Sequence, residues 1–584
     1  MEFFAPNSPV YLGFRTYRRS LTRYDSALAY AALGIIAGVL SGAVVIAFEL
    51  GIRELSLLWG VGKRGDDFEA LPLLERAALP LLGALVLGAF FTLLKPEDRE
   101  AGIVHVISRL HSNYGRLPWR NAVVQFFGGV LALATGQSGG REGPGVHLGA
   151  AINSLIGQFL RLPNNSLRVL IACGSAGGIA AAFNTPLAGV IFAMEVVVTE
   201  YTVAGFMPVM LAAISASVFS RHVGGGSEIF DLAGVQLQSL AQIPIIVAVG
   251  IGCGIAAGLF IRLSTLSARL TNMPVFLRFG LAGMVTAGLG VYVPETLGIG
   301  YDTLGSVLYG ETTLRLLLLL AITKVIATSL SVGVGMPVGI IGPNLLLGAC
   351  VGGFIGGIAP LVTPLAVADP ELYTTVGMAA TMGAVFAAPL AASLALIELT
   401  QSTSVAMPGL LAIIAAHLIN LTAFRQRSAH RSILSQLARR VADDPISKLL
   451  HRTDVNTVLD RSVVAVSDRV GAATASSLAL QAPNWCVVKH ERDSLFLVRG
   501  QDLVDWMQEG MGNEERDITE SSLRRWTMRE APEEATLQQA LDILRRHTVE
   551  AVCIYARARG SAPELRGVVT RELIERFTLD RLNT

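Results

Sequence analysis

A run of glycines between apolar segments, ATGQSGGREGPGVHLGA from Ala134 to Ala150, carries an adjacent arginine and glutamate, Arg141 and Glu142. An ionised side chain at bilayer depth costs at least roughly 2.5 to 3.5 kcal/mol on insertion scales, so its default reading is functional. The glycines let backbone approach an ion closely and leave N–H groups unshielded. Gly143-Pro144 marks a helix N-terminus, because proline is preorganised for the first helical position. Such an end carries about half a positive charge and several unpaired N–H groups. An anion there replaces lost hydration with backbone hydrogen bonds and meets no tight lysine clamp, which suits a pore that must also release its ion.

A second segment repeats the pattern. EGPGVHLGAAI, starting at Glu142, aligns with IGPNLLLGACV, starting at Ile341, and AFNTPLAGVIFAME, ending at Glu195, aligns with VFAAPLAASLALIE, ending at Glu398. The separations are 341 − 142 = 199 and 398 − 195 = 203, so two blocks recur in the same order at nearly the same distance. Gly342-Pro343 opens the second apolar run, and VGVGMPVGIIG supplies its glycines. Helices that begin partway through a membrane in both halves aim amide donors at the midplane.

The elements that must position these groups are membrane helices. The chain of 584 residues is 52% hydrophobic and 16% charged, with a mean hydropathy of +0.54, values that exclude an ordinary soluble protein. The net charge of +1 suggests neither nucleic acid nor a polyanionic substrate. Apolar runs long enough to span occur near 27–48, 77–94, 204–220, 242–263, 277–294, 313–335 and 406–424. Between 121 and 199, and between 336 and 400, Gly and Pro break the runs into pieces too short to span cleanly. The first run lacks a signal-peptide cleavage site and should remain as a span. Arg15, Arg18, Arg19 and Arg23 precede it, and Arg425, Arg427, Arg431, Arg439 and Arg440 follow the last one, so the positive-inside rule places both ends in the cytoplasm. After about residue 445 the composition becomes soluble and traces two βαββα-like passes, with MGNEERDITES between them as a loop. Cys173, Cys253, Cys350, Cys486 and Cys553 lie far apart, so neither a disulfide framework nor a metal site is expected.

GREGP at Gly140 to Pro144, GIIGP at Gly339 to Pro343 and the FNTPLAG and FAAPLAA blocks resemble the CLC family of chloride channels and proton-coupled chloride transporters. The resemblance covers about residues 27–425, and the tail is similar to paired CBS domains. It implies an α-helical polytopic membrane fold with inverted repeats and broken, re-entrant helices, followed by a soluble α/β tail. It also implies a homodimer with one pore per subunit, embedded in lipid and passing chloride. The implied organisation is a cytoplasmic segment 1–25, a membrane domain 26–425 with repeats near 26–220 and 240–425, a linker 426–445 and a CBS-like pair 446–584. Glu142 would be the gating glutamate, competing with anions while ionised and swinging away when protonated. Backbone N–H groups of Arg141, Glu142 and Gly143 would line an outer anion site, and those of Ile340 and Ile341 a central one.

Three positions depart from the family pattern. Ala101 stands where a serine hydroxyl usually faces the central site, the alignment from Glu398 through Pro408 puts Thr403 where a tyrosine hydroxyl completes it, and Val196 replaces the inner proton-accepting glutamate of many exchangers. Valine cannot carry a proton, so the sequence favours passive chloride conduction with a protonatable gate, and chloride/proton antiport is the alternative. No enzyme activity and no resident cofactor is expected. Ser138 in GxSG, with His417, fits the pattern of an intramembrane serine protease but leaves the repeats unexplained. A cation permease wants facing carboxylates, and the counterpart of Glu142 is Ile341. Arg141 and Glu142 as a buried ion pair, His147 as a locally packed residue, and Glu195 and Glu398 as packing or hydrogen-bonding groups are the structural alternatives. In the tail, Arg499 with Asp502 and Thr570 with Leu573 each complete only half of a ribose-binding pattern, so a dimerising scaffold is favoured over an adenine-nucleotide site.

Overall fold

The computed structural model describes residues 27–62, 66–113, 115–162, 164–201, 203–224, 235–362, 370–437, 446, 449–450, 453–490, 493–509, 515–556 and 564–582. Arg15, Arg18, Arg19, Arg23, Arg439 and Arg440 fall outside them. The chain divides into two compact units, Met1–Arg161 with Leu167–Val441, and Leu162–Ser166 with Ala442–Thr584.

The first unit is helical: α1 Ala27–Leu58, α2 Leu73–Thr92, α3 Gly102–Ser112, α4 Trp119–Ala134, α5 Glu142–Phe159, α6 Asn164–Phe183, α7 Pro186–Phe192, α8 Val203–Gly224, α9 Ile243–Ser267, α10 Val275–Tyr292, α11 Tyr301–Leu308, α12 Leu314–Gly333, α13 Ile341–Val362, α14 Pro370–Phe386, α15 Pro389–Thr400, α16 Ala406–Ile419 and α17 Ala429–Gln436. Every apolar run expected to span coincides with a helix, and nine segments among the described residues are long and apolar enough to cross a membrane. Two of those nine, α6 and α13, lie in the regions expected to hold only short pieces. The most apolar window of α6 is wholly buried, so this helix spends its hydropathy on protein neighbours.

Small residues decide how the helices meet. A Cβ on Gly149 of α5 would lie 2.3 Å from the Gly174 carbonyl of α6, and one on Gly348 of α13 would lie 2.2 Å from the Gly377 carbonyl of α14. The same backbone-to-backbone crossing therefore occurs in both repeats, and only glycine permits it. The loops ahead of α7 and α15 match as well, with Asn184 and Ala387 both left-handed at φ 58° and 52°. Pro186 and Pro389 then open their helices at the first position.

In the second unit two passes share one topology. Strand β1 (Val463–Ser467) runs parallel to β3 (Trp485–His490), which pairs antiparallel with β4 (Asp493–Arg499). Strand β6 (Met528–Pro532) likewise runs parallel to β7 (Ala551–Ala556), antiparallel in turn to β8 (Glu564–Thr570). A helix follows the first and last strand of each set, giving βαββα twice. Trp485, Val487, Leu497, Ala551, Cys553, Tyr555 and Val568 form an apolar cluster drawing on both sheets. The segment read as a loop between the passes contains a short strand, β5 (Arg516–Asp517), paired with β2 (Arg469–Val470). Its alternation is only two residues long, too short for a periodic signal to register.

Candidate functional site

The loops that precede α5 and α13 meet each other. Gly140 N–H donates to the Gly339 carbonyl at 2.8 Å and Gly339 N–H donates back to Gly140 at 2.7 Å. A Cβ on Gly143 would sit 2.6 Å from Gly339 Cα, so the glycines are required by close approach. Each helix starts two residues earlier than its proline, at Glu142 and at Ile341. Pro144 and Pro343 therefore occupy the third position, still within the first turn where a missing N–H breaks no helical bond. Neither is the first helical residue that the Gly-Pro reading expects.

The fully buried Glu142 reaches from the first of these helix starts to the second. Its Oε2 accepts the backbone N–H of Gly342, in the first turn of α13, at 3.2 Å. Its Oε1 accepts the hydroxyl of Tyr301. Tyr301 opens α11 immediately after Gly300, whose φ of 78° turns the chain into the helix. The tyrosine ring is edge-on to Phe183 at 6.1 Å and lies under the Arg141 guanidinium at 5.1 Å. Arg141 turns away from Glu142: its Nε is 3.4 Å from Glu49 on α1, and its Nη2 donates to the Ala182 carbonyl at 3.4 Å. Arg141 and Glu142 consequently do not close into the local ion pair considered above.

Tyr301 and Glu49 are the two site residues that sequence reasoning missed. Glu49 is an acid inside the apolar helix α1 and carries the signal of an intramembrane charge. Tyr301 had no such signal, since an aromatic beside glycines is common in membrane chains.

Ile340 and Ile341 are buried at the start of α13, and Ile341 lines a small apolar cavity with Phe183, Thr185, Leu345, Met382 and Leu399. Ala101 precedes α3 in extended conformation. The first amide of that helix, on Gly102, donates to Gln125 at 2.7 Å, and Gln125 donates onward to the Pro337 carbonyl at 2.9 Å. Val196 is buried in a π turn, Ala193–Val198, after α7.

Thr403 does not join this group. Gln401 ends α15 in the left-handed conformation, and Thr403 is exposed in the surface turn that follows. The helix α17 does pack against α3, and His430 near its start is buried with its ring 5.4 Å from Phe386. An alignment anchored on Pro408 could not reach it, because an intervening helix, α16, separates the two positions. Ser138 pairs with Thr328 at 2.8 Å, and among the described residues no bond joins it to His417, so a Ser–His dyad is not formed.

Beside Tyr301, carboxylate oxygens of Asp67, Glu69 and Asp302 lie within 4.8 Å of one another. Burial, and then Asp302, Glu295 and Asp67, push the Glu69 carboxyl up to about 7. Burial and Asp66 push Asp302 up to about 6. The buried Lys324 lies against this segment, donating to the carbonyls of Thr296 at 2.9 Å and Gly298 at 3.2 Å.

Two repeats whose helix starts share one carboxylate, inside a bundle of apolar helices, define an integral multi-pass membrane protein of the CLC fold. The chain belongs to the voltage-gated chloride channel family, whose model matches residues 83–421. It is 31% identical over 400 residues to a putative chloride channel protein, ClcB-like, of Ralstonia nicotianae, covering 67% of this chain and 92% of that one. It is 30% identical over 423 residues to the H(+)/Cl(−) exchange transporter ClcA of Vibrio cholerae, covering 69% and 90%. Among solved structures the fold resembles a slow cyanobacterial Cl−/H+ antiporter, with TM-score 0.61, 21% identity and coverage of 70% and 97%. A eukaryotic CLC transporter matches over 93% of this chain and 97% of its own, with TM-score 0.57 and 20% identity.

Proposed function

We propose that the protein exchanges chloride for protons across a membrane, with Glu142 as gate and proton carrier. The observation that carries this reading is the Glu142 carboxylate on the Gly342 amide. A tethered anion holds the helix start that a free anion would use, and protonation removes its charge and its claim on that donor. Backbone amides of Arg141, Glu142 and Gly143 supply the outer anion site, and those of Ile340 and Ile341 the central one. Relatives named as H(+)/Cl(−) exchange transporters support coupled movement over the passive conduction expected from the sequence. Passive conduction remains the second reading because Val196 offers no proton acceptor.

The same reading includes a homodimer with a pore in each subunit, cytoplasmic termini and a CBS-like pair at residues 446–584. In that pair Arg499, at the position where a ribose-binding hydroxyl belongs, lies over Trp485 at 4.6 Å and Trp526 at 5.7 Å. This favours a scaffold over an adenine-nucleotide site. In liposomes under crossed chloride and pH gradients, uphill proton movement driven by chloride is expected, and Glu142→Gln abolishes it while chloride still flows. A reversal potential that follows chloride alone returns the assignment to passive conduction.

A further inference from the structure

Two histidines that the gate does not use face each other inside the first unit. His105 Nδ1, on α3, is 2.9 Å from His147 Nε2, on α5, and both rings are about 1% exposed or less. At the far side of His105, its Nε2 lies 3.5 Å from the carboxylate of Glu100, whose side chain is 24% exposed. Arg109 donates its Nε–H to that same Nε2 at 3.2 Å.

The arginine settles the tautomers. A nitrogen that accepts from Arg109 carries no proton, so neutral His105 holds its hydrogen on Nδ1 and donates it to His147 Nε2. His147 then holds its own on Nδ1, a buried atom with no hydrogen-bond partner among the described residues. The dyad is thus polarised in one direction, from a partly exposed carboxylate to an unpaired donor in the core. His147 is five residues along α5 from Glu142, an axial rise of about 7.5 Å at 1.5 Å per residue.

We infer that Glu100, His105 and His147 form a proton relay feeding the buried end of α5, a second proton site apart from Glu142; it rests on the exchange reading. Each hop balances. The Glu100 carboxyl gives its proton to His105 Nε2, His105 gives up Nδ1–H to His147 Nε2, and His147 releases Nδ1–H to water on the Glu142 side. Glu100 regains a proton from solvent, and the rings return to their first tautomers by reorientation. Arg109 beside Nε2 opposes a lasting imidazolium, so the proton crosses this site without resting there. Near α3, Arg168 pairs with Glu200 at 3.6 Å and donates to the Leu110 carbonyl at 3.1 Å. Val196 supplies no acid to compete with this route.

His147→Gln and His105→Gln, reconstituted as full-length protein in liposomes, are expected to lower chloride-driven proton movement by about a hundredfold while chloride efflux persists. An unchanged proton-to-chloride ratio in both overturns the relay alone. Absence of proton movement in the unsubstituted protein removes the exchange reading and the relay together. If either histidine variant loses chloride flux as well, Glu100→Gln decides at the exposed end: retained proton movement overturns the relay, and its loss with chloride flux intact supports it.

Discussion

Glu195 and Glu398 each cap a helix in the other repeat. Glu195 Oε2 accepts the amide of Ala391 at 2.9 Å and its Oε1 that of Leu390 at 3.4 Å, while Glu398 accepts from Ala188 at 2.8 Å and Leu187 at 2.9 Å. The four donors belong to the first turns of α15 and α7, where amides have no intrahelical partner. A carboxylate there gains from charge-assisted bonds and from the helix dipole. Replacing Glu398 with Ala is expected to destabilise the membrane unit by about 2 kcal/mol, and Glu195→Ala by a similar amount. Thermal unfolding of the detergent-solubilised protein measures both. Because each bond joins the repeats, the double variant tests coupling, and simple additivity would mean that the two caps act independently.

The hydroxyl of Tyr301 holds Glu142 on the α13 start. Tyr301→Phe keeps the ring against Phe183 and Arg141 but removes that bond. A hydrogen bond to a charged group contributes about 1.5 kcal/mol or more, so the carboxylate should leave its position roughly tenfold more often. Chloride efflux at neutral pH is expected to rise accordingly, and the acid activation of flux to flatten. Identical efflux across the pH range would show that the Gly342 amide alone keeps Glu142 in place.

What sequence could deliver here was the repeated frame. Gly-Pro, Leu-Gly-Ala and the two terminal glutamates repeat because two helix starts and two caps are built alike, and local identity survives where backbone must approach backbone. Gly149 with Gly174, and Gly348 with Gly377, show the same constraint in three dimensions. The partners of Glu142 were not legible, because Tyr301 is 159 residues away and belongs to neither repeated block. The His105–His147 pair was hidden for the same reason: 42 residues separate its members, and each alone reads as a packed histidine. Thr403 misled because counting forward from Glu398 passes through a left-handed helix end, where residue spacing ceases to report position.

The acidic group beside Tyr301 should make stability fall as pH rises. Glu69 titrates at about 7 and Asp302 at about 6 in the folded protein, above their unfolded values near 4. Between those limits the folded state binds more protons than the unfolded one, so unfolding free energy decreases as pH increases. The unfolding midpoint is expected to be higher at pH 5 than at pH 8. Glu69→Gln should raise the midpoint at pH 8 and leave pH 5 nearly unchanged, which narrows the difference. A midpoint that climbs with pH would mean that Lys324 outweighs burial and repulsion among the acids.

Asp454 offers the corresponding test in the second unit. Its carboxylate is 6% exposed and begins the turn Val455–Thr457, accepting from the backbone N–H and side-chain amide of Asn456 at 2.8 Å and 2.7 Å. Burial nevertheless pushes it up to about 6, assisted by Glu534 and Glu533. A carboxyl raised from its ordinary value near 4 opposes folding once it ionises, and the penalty develops between about pH 4 and pH 6. Asp454→Asn keeps an oxygen for the cap, since asparagine serves that position as well as aspartate. The substitution should stabilise the unit by ~1–3 kcal/mol at pH 7.5 and by little at pH 4. Hydrogen exchange of the Asn456 and Leu537 amides in the full-length protein reads this locally, because Leu537 N–H donates to Thr453 across the same junction at 2.8 Å. Faster exchange in the variant at pH 7.5 would mean that the bonds from Asn456 gain more from the negative charge than burial takes away.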